Sequence, residues 1–353
     1  MILSDAAGLL SSDPEATGRD LAAVEELLRG GVRSTQSLPR ELGEYLVSSG
    51  GKRIRPLLMI LTYRGFQGAK LTARLSPEDL HVLASVAEWT HTATLFHDDV
   101  LDASDKRRNK TAAHVLHGNK VAILVGDFVY AEAFALLMER GWLEPSRELA
   151  TTIKTLVEGE LLQYQVVKNR SLDMAEYERI ARAKTAALFA WCTWTGAWGA
   201  GFGQPLVARD FGALLGYAFQ MADDLFDTYS LDAATASDAE LVEWAESSPP
   251  LPVVQASLDN PEVRKLWTDL PLAQGSALRE AIVRISDLCL ETPVIDTCQR
   301  RINDALAEAS AKLAQLGNPS SLAQAVALIR ARGHEGLEVA RTKSQRRGAR
   351  RAV

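Results

Sequence analysis

Two stretches of this chain gather carboxylates at a spacing that suits metal ions. Asp98, Asp99 and Asp102 lie in FHDDVLDASDKRRNK, and Asp223, Asp224 and Asp227 lie in AFQMADDLFDTYS. On a helix the first and third aspartates of each D-D-x-x-D are i,i+4 neighbours, with the middle one about 100° round. Like charges at that spacing cost a helix about 0.2–0.5 kcal/mol per pair. One solvated acidic face could carry that cost, but the same cluster recurs where a second apolar segment ends. Oxygen donors in an open array suit Mg2+, which keeps several waters and bridges one or two carboxylates to phosphate oxygens. Two such arrays could clamp several ions around one diphosphate and stabilise the negative charge that builds as it departs.

Cations accompany the acids. Arg107 and Arg108 follow the first cluster, and adjacent side chains diverge, so the pair can reach two different anions with guanidinium forks suited to phosphate. Upstream, SGGKRIRP sets Lys52, Arg53 and Arg55 beside two glycines that let backbone approach an anion. Alone, that Gly-Gly would read as a plain helix stop. His91 stands seven residues before Asp98, hence on the same helical face. A lone helical histidine is ordinarily a core residue, and only this setting raises it. Lys184-Thr185 in ARAKTAALF carries little by itself.

The elements that must hold these residues read as helices. Asp13-Pro14-Glu15 opens one that stops near Gly30-Gly31, and a second runs toward Gly50-Gly51. Ser76-Pro77-Glu78 repeats the cap and opens a helix of about seven turns that ends in the first cluster. Further helical runs cover roughly 118–140, 145–168, 173–202, 207–230, 274–291 and 294–316. Alternating β-branched runs are scarce, so no sheet is expected, and the fold class is all-α: one domain of long helices around one core over 1–332. Residues 230–252 read as a polar loop with at most one short helix. Residues 333–353 read as a basic, disordered tail with weak attraction to anionic membrane as its minor role.

The 353 residues are 47% hydrophobic with a formal charge of −6. That composition supports a sizeable core and speaks against general nucleic-acid binding. Three widely spaced cysteines fit a reducing cytoplasm better than a disulfide framework. The N-terminus lacks the basic region and apolar core of a signal peptide. VAILVGDFVYAEAFALLM, interrupted by Asp127 and Glu132, reads as a buried helix and not a membrane span.

GGKRIRP, His91 before HDDVLD, the Arg pair, VGDF, EGELLQ, KTA and FQMADDLFD stand in the order that resembles the all-trans polyprenyl diphosphate synthase family. The likeness runs from about residue 45 to 230, with a looser echo to about 332. The resemblance implies a bundle of mostly antiparallel helices around a deep central cavity, a homodimer, and three Mg2+ ions bridging both aspartate motifs to an allylic diphosphate. By position, Asp98, Asp102 and Asp223 would lead the metal ligation, and Asp99, Asp224 and Asp227 would support it. Arg107, Lys184 and Gln220 would hold the allylic diphosphate, with Thr185 and Phe219 beside them. Lys52, Arg55, His91 and Arg108 would hold isopentenyl diphosphate. The chemistry implied is ionisation to an allylic cation, attack by the isopentenyl double bond, and proton loss to the released pyrophosphate. In this family bulky residues four and five positions before the first aspartate shorten the product. Thr94 and Ala93 are small, which favours products longer than C15 and allows some beyond C20, with Trp89 one turn further as floor or core.

The chain departs from that pattern after the second motif. The family usually carries a lysine there and later a Gly-Lys, whereas this loop has Ser247-Ser248 and no lysine. Trp191, Trp194 and Trp198 form an aromatic stripe, read first as core and second as a cation-stabilising lining. Two alternatives therefore stand beside chain elongation: a class I terpene cyclase on the same scaffold, and a weakly active or non-catalytic subunit of a heteromeric synthase. A metal phosphohydrolase reading of His97-Asp98 ignores the second cluster and both cation sets.

Overall fold

A computed structural model of the chain describes residues 14–30, 34–35, 37–38, 41–42, 53–66, 71–102, 106–107, 110–233, 235–317 and 319–351. The helices are α1 (Pro14–Arg29), α2 (Ile54–Phe66), α3 (Pro77–Leu101), α4 (Ala113–His117), α5 (Asn119–Glu139), α6 (Leu143–Asn169), α7 (Met174–Ala181), α8 (Ala187–Gly199) and α9 (Pro205–Ser230). They continue with α10 (Asp238–Glu246), α11 (Leu251–Asp259), α12 (Pro261–Asp269), α13 (Ser276–Cys289), α14 (Thr292–Gln315) and α15 (Ser320–Arg351). One π-helical turn, Arg182–Ala186, joins α7 to α8. The class is all-α as expected. Among the described residues the exception is a two-strand hairpin, β1 (Lys106–Arg107) with β2 (Lys110–Thr111), which pairs Arg107 with Lys110.

The cap signals act as read. Pro14 opens α1 with Glu15 in its first turn. The Ser76 hydroxyl accepts the Asp79 N–H at 3.1 Å and Pro77 begins α3. Ser237 and Glu240 close a capping box on α10, the one short helix of the polar loop.

The chain divides into two compact units built from interleaved segments: residues 1–152, 188–212 and 313–325 form the first, and 153–187, 213–312 and 326–353 form the second. In the first, α3 packs against α1, α2, α4 and α5, and its middle is buried on nearly every side. A buried charge cluster fixes the α1–α2–α3 corner. Arg53, at φ 46°, donates to Glu88 at 2.8 Å and also binds Glu25. Asp20 accepts from His81 at 2.9 Å and pairs with Arg64. The tryptophan stripe belongs to this core: Trp191 donates to the Pro145 carbonyl at 3.2 Å, Trp198 donates to Glu144 at 2.6 Å, and Trp194 stacks on Trp198. Two indole N–H groups anchor the stripe and all three rings are buried, which favours the core reading.

In the second unit α11 packs on α7, α12 and α13. Arg170 binds the Ala245 carbonyl at 2.7 Å and the Trp267 carbonyl at 2.9 Å, and lies 4.2 Å over the Trp267 ring. One side chain thus ties the end of α6 to α10 and α12.

Two expectations need correction. The basic tail is not a disordered appendage over its described length: α15 continues through residues 333–351. Arginine and alanine are good helix formers, and Gly333 and Gly336 let the helix lie close to α9. The apolar run in α5 is not wholly buried either. It buries one stripe, Ala122, Val125, Gly126, Val129, Ala133 and Leu137, while Ile123 and Leu124 remain 42% and 66% exposed. α5 is also long and apolar enough to cross a membrane by composition. Local hydropathy set the helix but could not say which stripe would find neighbours.

Candidate active site

The first aspartate cluster ends α3. Asp99 is fully buried, Asp98 half-buried and Asp102 exposed, and the Asp102 N–H closes the last turn on the Asp98 carbonyl at 2.8 Å. No basic residue stands in that last turn. A helix C-terminus carries partial negative charge, so three carboxylates there are the wrong sign for stability and the right sign for a cation. The hairpin that carries Arg107 follows directly. Arg55 sits on α2 with its guanidinium 5.7 Å from the Phe189 ring centroid. His91 is half-buried on α3, its Nδ1 3.5 Å from the Thr94 hydroxyl. Lys52 and Arg108 lie outside the described residues, and Arg107 is described by its strand alone.

Ala93 is fully buried one turn above Trp89. Trp89 itself lines a groove of about 560 Å3 with Ala23, Leu27, His81, Val82 and Leu136.

The second cluster occupies the last turns of α9, again with no basic residue in the final turn. Here the three acids differ. Asp223 pairs with Arg332 at 2.9 Å. Asp227 is exposed. Asp224 is enclosed: it accepts from the Tyr177 hydroxyl at 2.6 Å, the Gln220 amide at 2.7 Å and the Leu251 N–H at 3.2 Å. Burial pushes its carboxyl up to about 6, against the three donors that favour the charged form, and Asp223 next door adds repulsion.

Asp224 also lines a pocket of about 210 Å3 that brings together Lys184, Thr185 and Gln220 with Gln163, Tyr177 and the Ser248-Pro249-Pro250 corner. Thr185 donates to the Gln220 carbonyl oxygen at 2.6 Å. Lys184 binds Glu160 at 2.5 Å and Gln163 at 3.0 Å. The π turn carries Lys184 and Thr185, the kind of local helix defect that marks functional sites. Phe219 is half-buried beside Gln220 on α9.

Gly159 makes the π turn's position possible. A Cβ there would stand 2.6 Å from the Ala183 Cβ and 3.2 Å from the Lys184 Cγ. We expect Gly159→Ala to displace the π turn and cost about 1–3 kcal/mol, read by urea denaturation. An unchanged denaturation midpoint would count against this role.

Among the described residues no three His, Cys, Asp or Glu side chains converge on a single metal-sized point. The donor set still fits Mg2+. A D-D-x-x-D helix end offers one or two carboxylates to any one ion, and Mg2+ takes one or two carboxylates and completes its shell with phosphate oxygens and water.

Tyr177, Glu160, Gln163 and Arg332 were not singled out from the sequence. Glu160 and Gln163 lie in the quoted EGELLQ segment, which could have flagged them; Tyr177 and Arg332 gave no local signal.

Comparison with known proteins follows from this geometry. The family model described as polyprenyl synthetase matches residues 36–283. The chain is 34% identical over 283 residues to the octaprenyl diphosphate synthase of Escherichia coli K12, covering 78% of this chain and 84% of that one. It is 31% identical over 290 residues to a Rhodobacter capsulatus all-trans-nonaprenyl-diphosphate synthase (geranyl-diphosphate specific), covering 81% and 86%. Its structure is similar to that of a polyprenyl synthase from Caulobacter crescentus complexed with calcium and isoprenyl diphosphate. The TM-score there is 0.75 at 30% identity, over 92% of this chain and 95% of that one.

Proposed function

We propose that this chain, which belongs to the polyprenyl synthetase family, elongates an allylic diphosphate with isopentenyl diphosphate through the residues named above. It is a prenyltransferase with the all-α isoprenoid synthase fold. The observation that carries the site assignment is the pocket where Lys184, Thr185, Gln220 and Asp224 converge. A cation and amide and hydroxyl groups in one small polar recess suit a diphosphate.

Asp98, Asp102 and Asp223 are assigned as leading ligands of Mg2+, with three ions as the working number. The buried Asp99, the thrice-bonded Asp224 and the exposed Asp227 are assigned to support. When bound with the diphosphate, Mg2+ would neutralise charge on the leaving group. Lys184 is poised by Glu160 and Gln163 and can trade those partners for phosphate oxygens, with Arg107 and Gln220 as further holders. Lys52, Arg55, His91 and Arg108 are assigned to isopentenyl diphosphate. The bond from allylic carbon to oxygen breaks and the diphosphate leaves with its electron pair. The isopentenyl double bond then attacks the cation, and a proton leaves to the released pyrophosphate. The buried apolar helices exclude water from the cation.

A long product is favoured by small Ala93 and Thr94 and by relatives named for octaprenyl and nonaprenyl products. Trp89→Ala is expected to shift the longest products upward by at least one C5 unit on reversed-phase chromatography; an unchanged ladder would assign Trp89 to the core alone. The exposed apolar face of α5 supports a homodimer, because a lone chain rarely leaves such a stripe in water. The buried, unpaired thiols Cys192, Cys289 and Cys298 support a cytoplasmic setting. The basic end of the chain supports weak contact with anionic membrane.

The deciding experiment incubates the purified chain with Mg2+ and C5, C10, C15 and C20 primers, with and without isopentenyl diphosphate. Elongation requires both substrates. Product from a primer alone would favour a cyclase, and no product at all would favour a subunit that needs a partner.

A further inference from the structure

The last helix brings its own cations to the second aspartate cluster. Arg332 donates from Nε to Asp223 Oδ1 at 2.9 Å, from Nη1 to Glu335 at 3.3 Å, and lies 3.7 Å from the Phe226 ring centroid. Burial works against its charge, yet the Asp223 hydrogen bond holds its pKa above the usual value, helped by Glu335 and Asp227. Eleven residues on, Lys343 donates to the Leu231 carbonyl at 2.9 Å, just past the end of α9. The approach is built in: a Cβ at Gly336 would stand 3.1 Å from the Phe226 backbone nitrogen, and one at Gly333 would touch Ile302 and Ala222. The loop after Asp227 offers no lysine, and the family model's match stops at residue 283, well before α15.

We propose that Arg332 is a diphosphate-binding residue that also holds Asp223 in the empty site, supplying from α15 a cation that the loop after Asp227 does not. It holds Asp223 paired while no diphosphate is present. When a diphosphate arrives, Arg332 releases Asp223 to the metal and takes a phosphate oxygen with its guanidinium. The chain thus binds metal at this cluster with its substrate and weakly without it. This rests on the reading of Asp223 as a metal ligand.

The test uses the full chain, Mn2+ titration by electron paramagnetic resonance without diphosphate, and inorganic pyrophosphate titration in saturating Mg2+. Arg332→Met should tighten Mn2+ binding about tenfold and weaken pyrophosphate binding about tenfold, the scale of a charge-assisted hydrogen bond at a partly exposed site. A merely structural arginine would weaken both or neither, and either result overturns the proposal, as does failure of one shift alone. If Arg332→Met does not fold, Arg332→Gln makes the same test with the same expected shifts. Asp223→Asn separates the two readings. If it leaves Mn2+ binding with pyrophosphate unchanged, the metal assignment itself falls. If it weakens that binding while the Arg332 variants do nothing, only the role of Arg332 falls.

Discussion

Asp98→Asn is expected to lower kcat by about a thousandfold while changing the stability of the metal-free chain by less than about 1 kcal/mol. With Asp98 assigned as a metal ligand, the expected loss is that of a charged contact to the leaving group's counter-ion, an effect of the size seen when one preorganised electrostatic contact is deleted. The small stability change follows from the position. Asp98 stands in the last turn of α3 with Asp99 and Asp102 and no basic residue. There the negative end of the helix and the i,i+4 neighbour both disfavour its charge. Neutralising it relieves those terms and offsets whatever contacts the carboxylate makes locally. Steady-state product formation and urea denaturation in EDTA check both halves. Activity within tenfold of the parent would remove Asp98 from the ligand set, and a large loss of stability would make it a structural residue.

Glu88→Ala should behave in the opposite way, unfolding the chain more than it slows the chemistry. The Glu88 side chain is 4% exposed and the Arg53 side chain 10% exposed, with Glu25 completing the group at 30%. Deleting Glu88 leaves the nearly buried Arg53 with Glu25 still bound, so the cost is that of a charge-assisted hydrogen bond lost from a buried group, about 2–3 kcal/mol, whereas removing Arg53 and Glu88 together is milder. The double variant Arg53→Met with Glu88→Leu should therefore recover most of the stability in urea denaturation. Recovery of less than half would point to the left-handed backbone at Arg53 as the dominant constraint. Because Arg53 sits between Lys52 and Arg55, the single variant should also raise KM for isopentenyl diphosphate. An unaltered KM alongside the stability loss would separate this corner from substrate binding.

Much of the architecture could be read along the chain. The Ser76-Pro77-Glu78 cap, the Pro14 start, the stop at Gly30 and the helical periods give nearly the observed bounds, because a cap and a 3.6-residue period are satisfied by neighbours within a few turns. α2 and α11 are harder to read. Their short, nearly all-apolar or proline-broken stretches have weak period, and burial by distant segments makes them helical.

The candidate site divides the same way. Six aspartates, their spacing and the motif order lie in the sequence itself, and they suffice to name a diphosphate chemistry. The sequence did not rank chemically alike groups. Arg53 and Arg55 are two residues apart, yet one closes a buried ion cluster and the other lies over Phe189. Asp223 and Asp224 are adjacent, yet one faces Arg332 across 109 positions of chain and the other faces Tyr177 across 47. Burial and long-range partners set a side chain's charge and its freedom to bind. Both depend on segments that meet only after folding, so tertiary structure alone decided which of these cations and carboxylates are held by the protein.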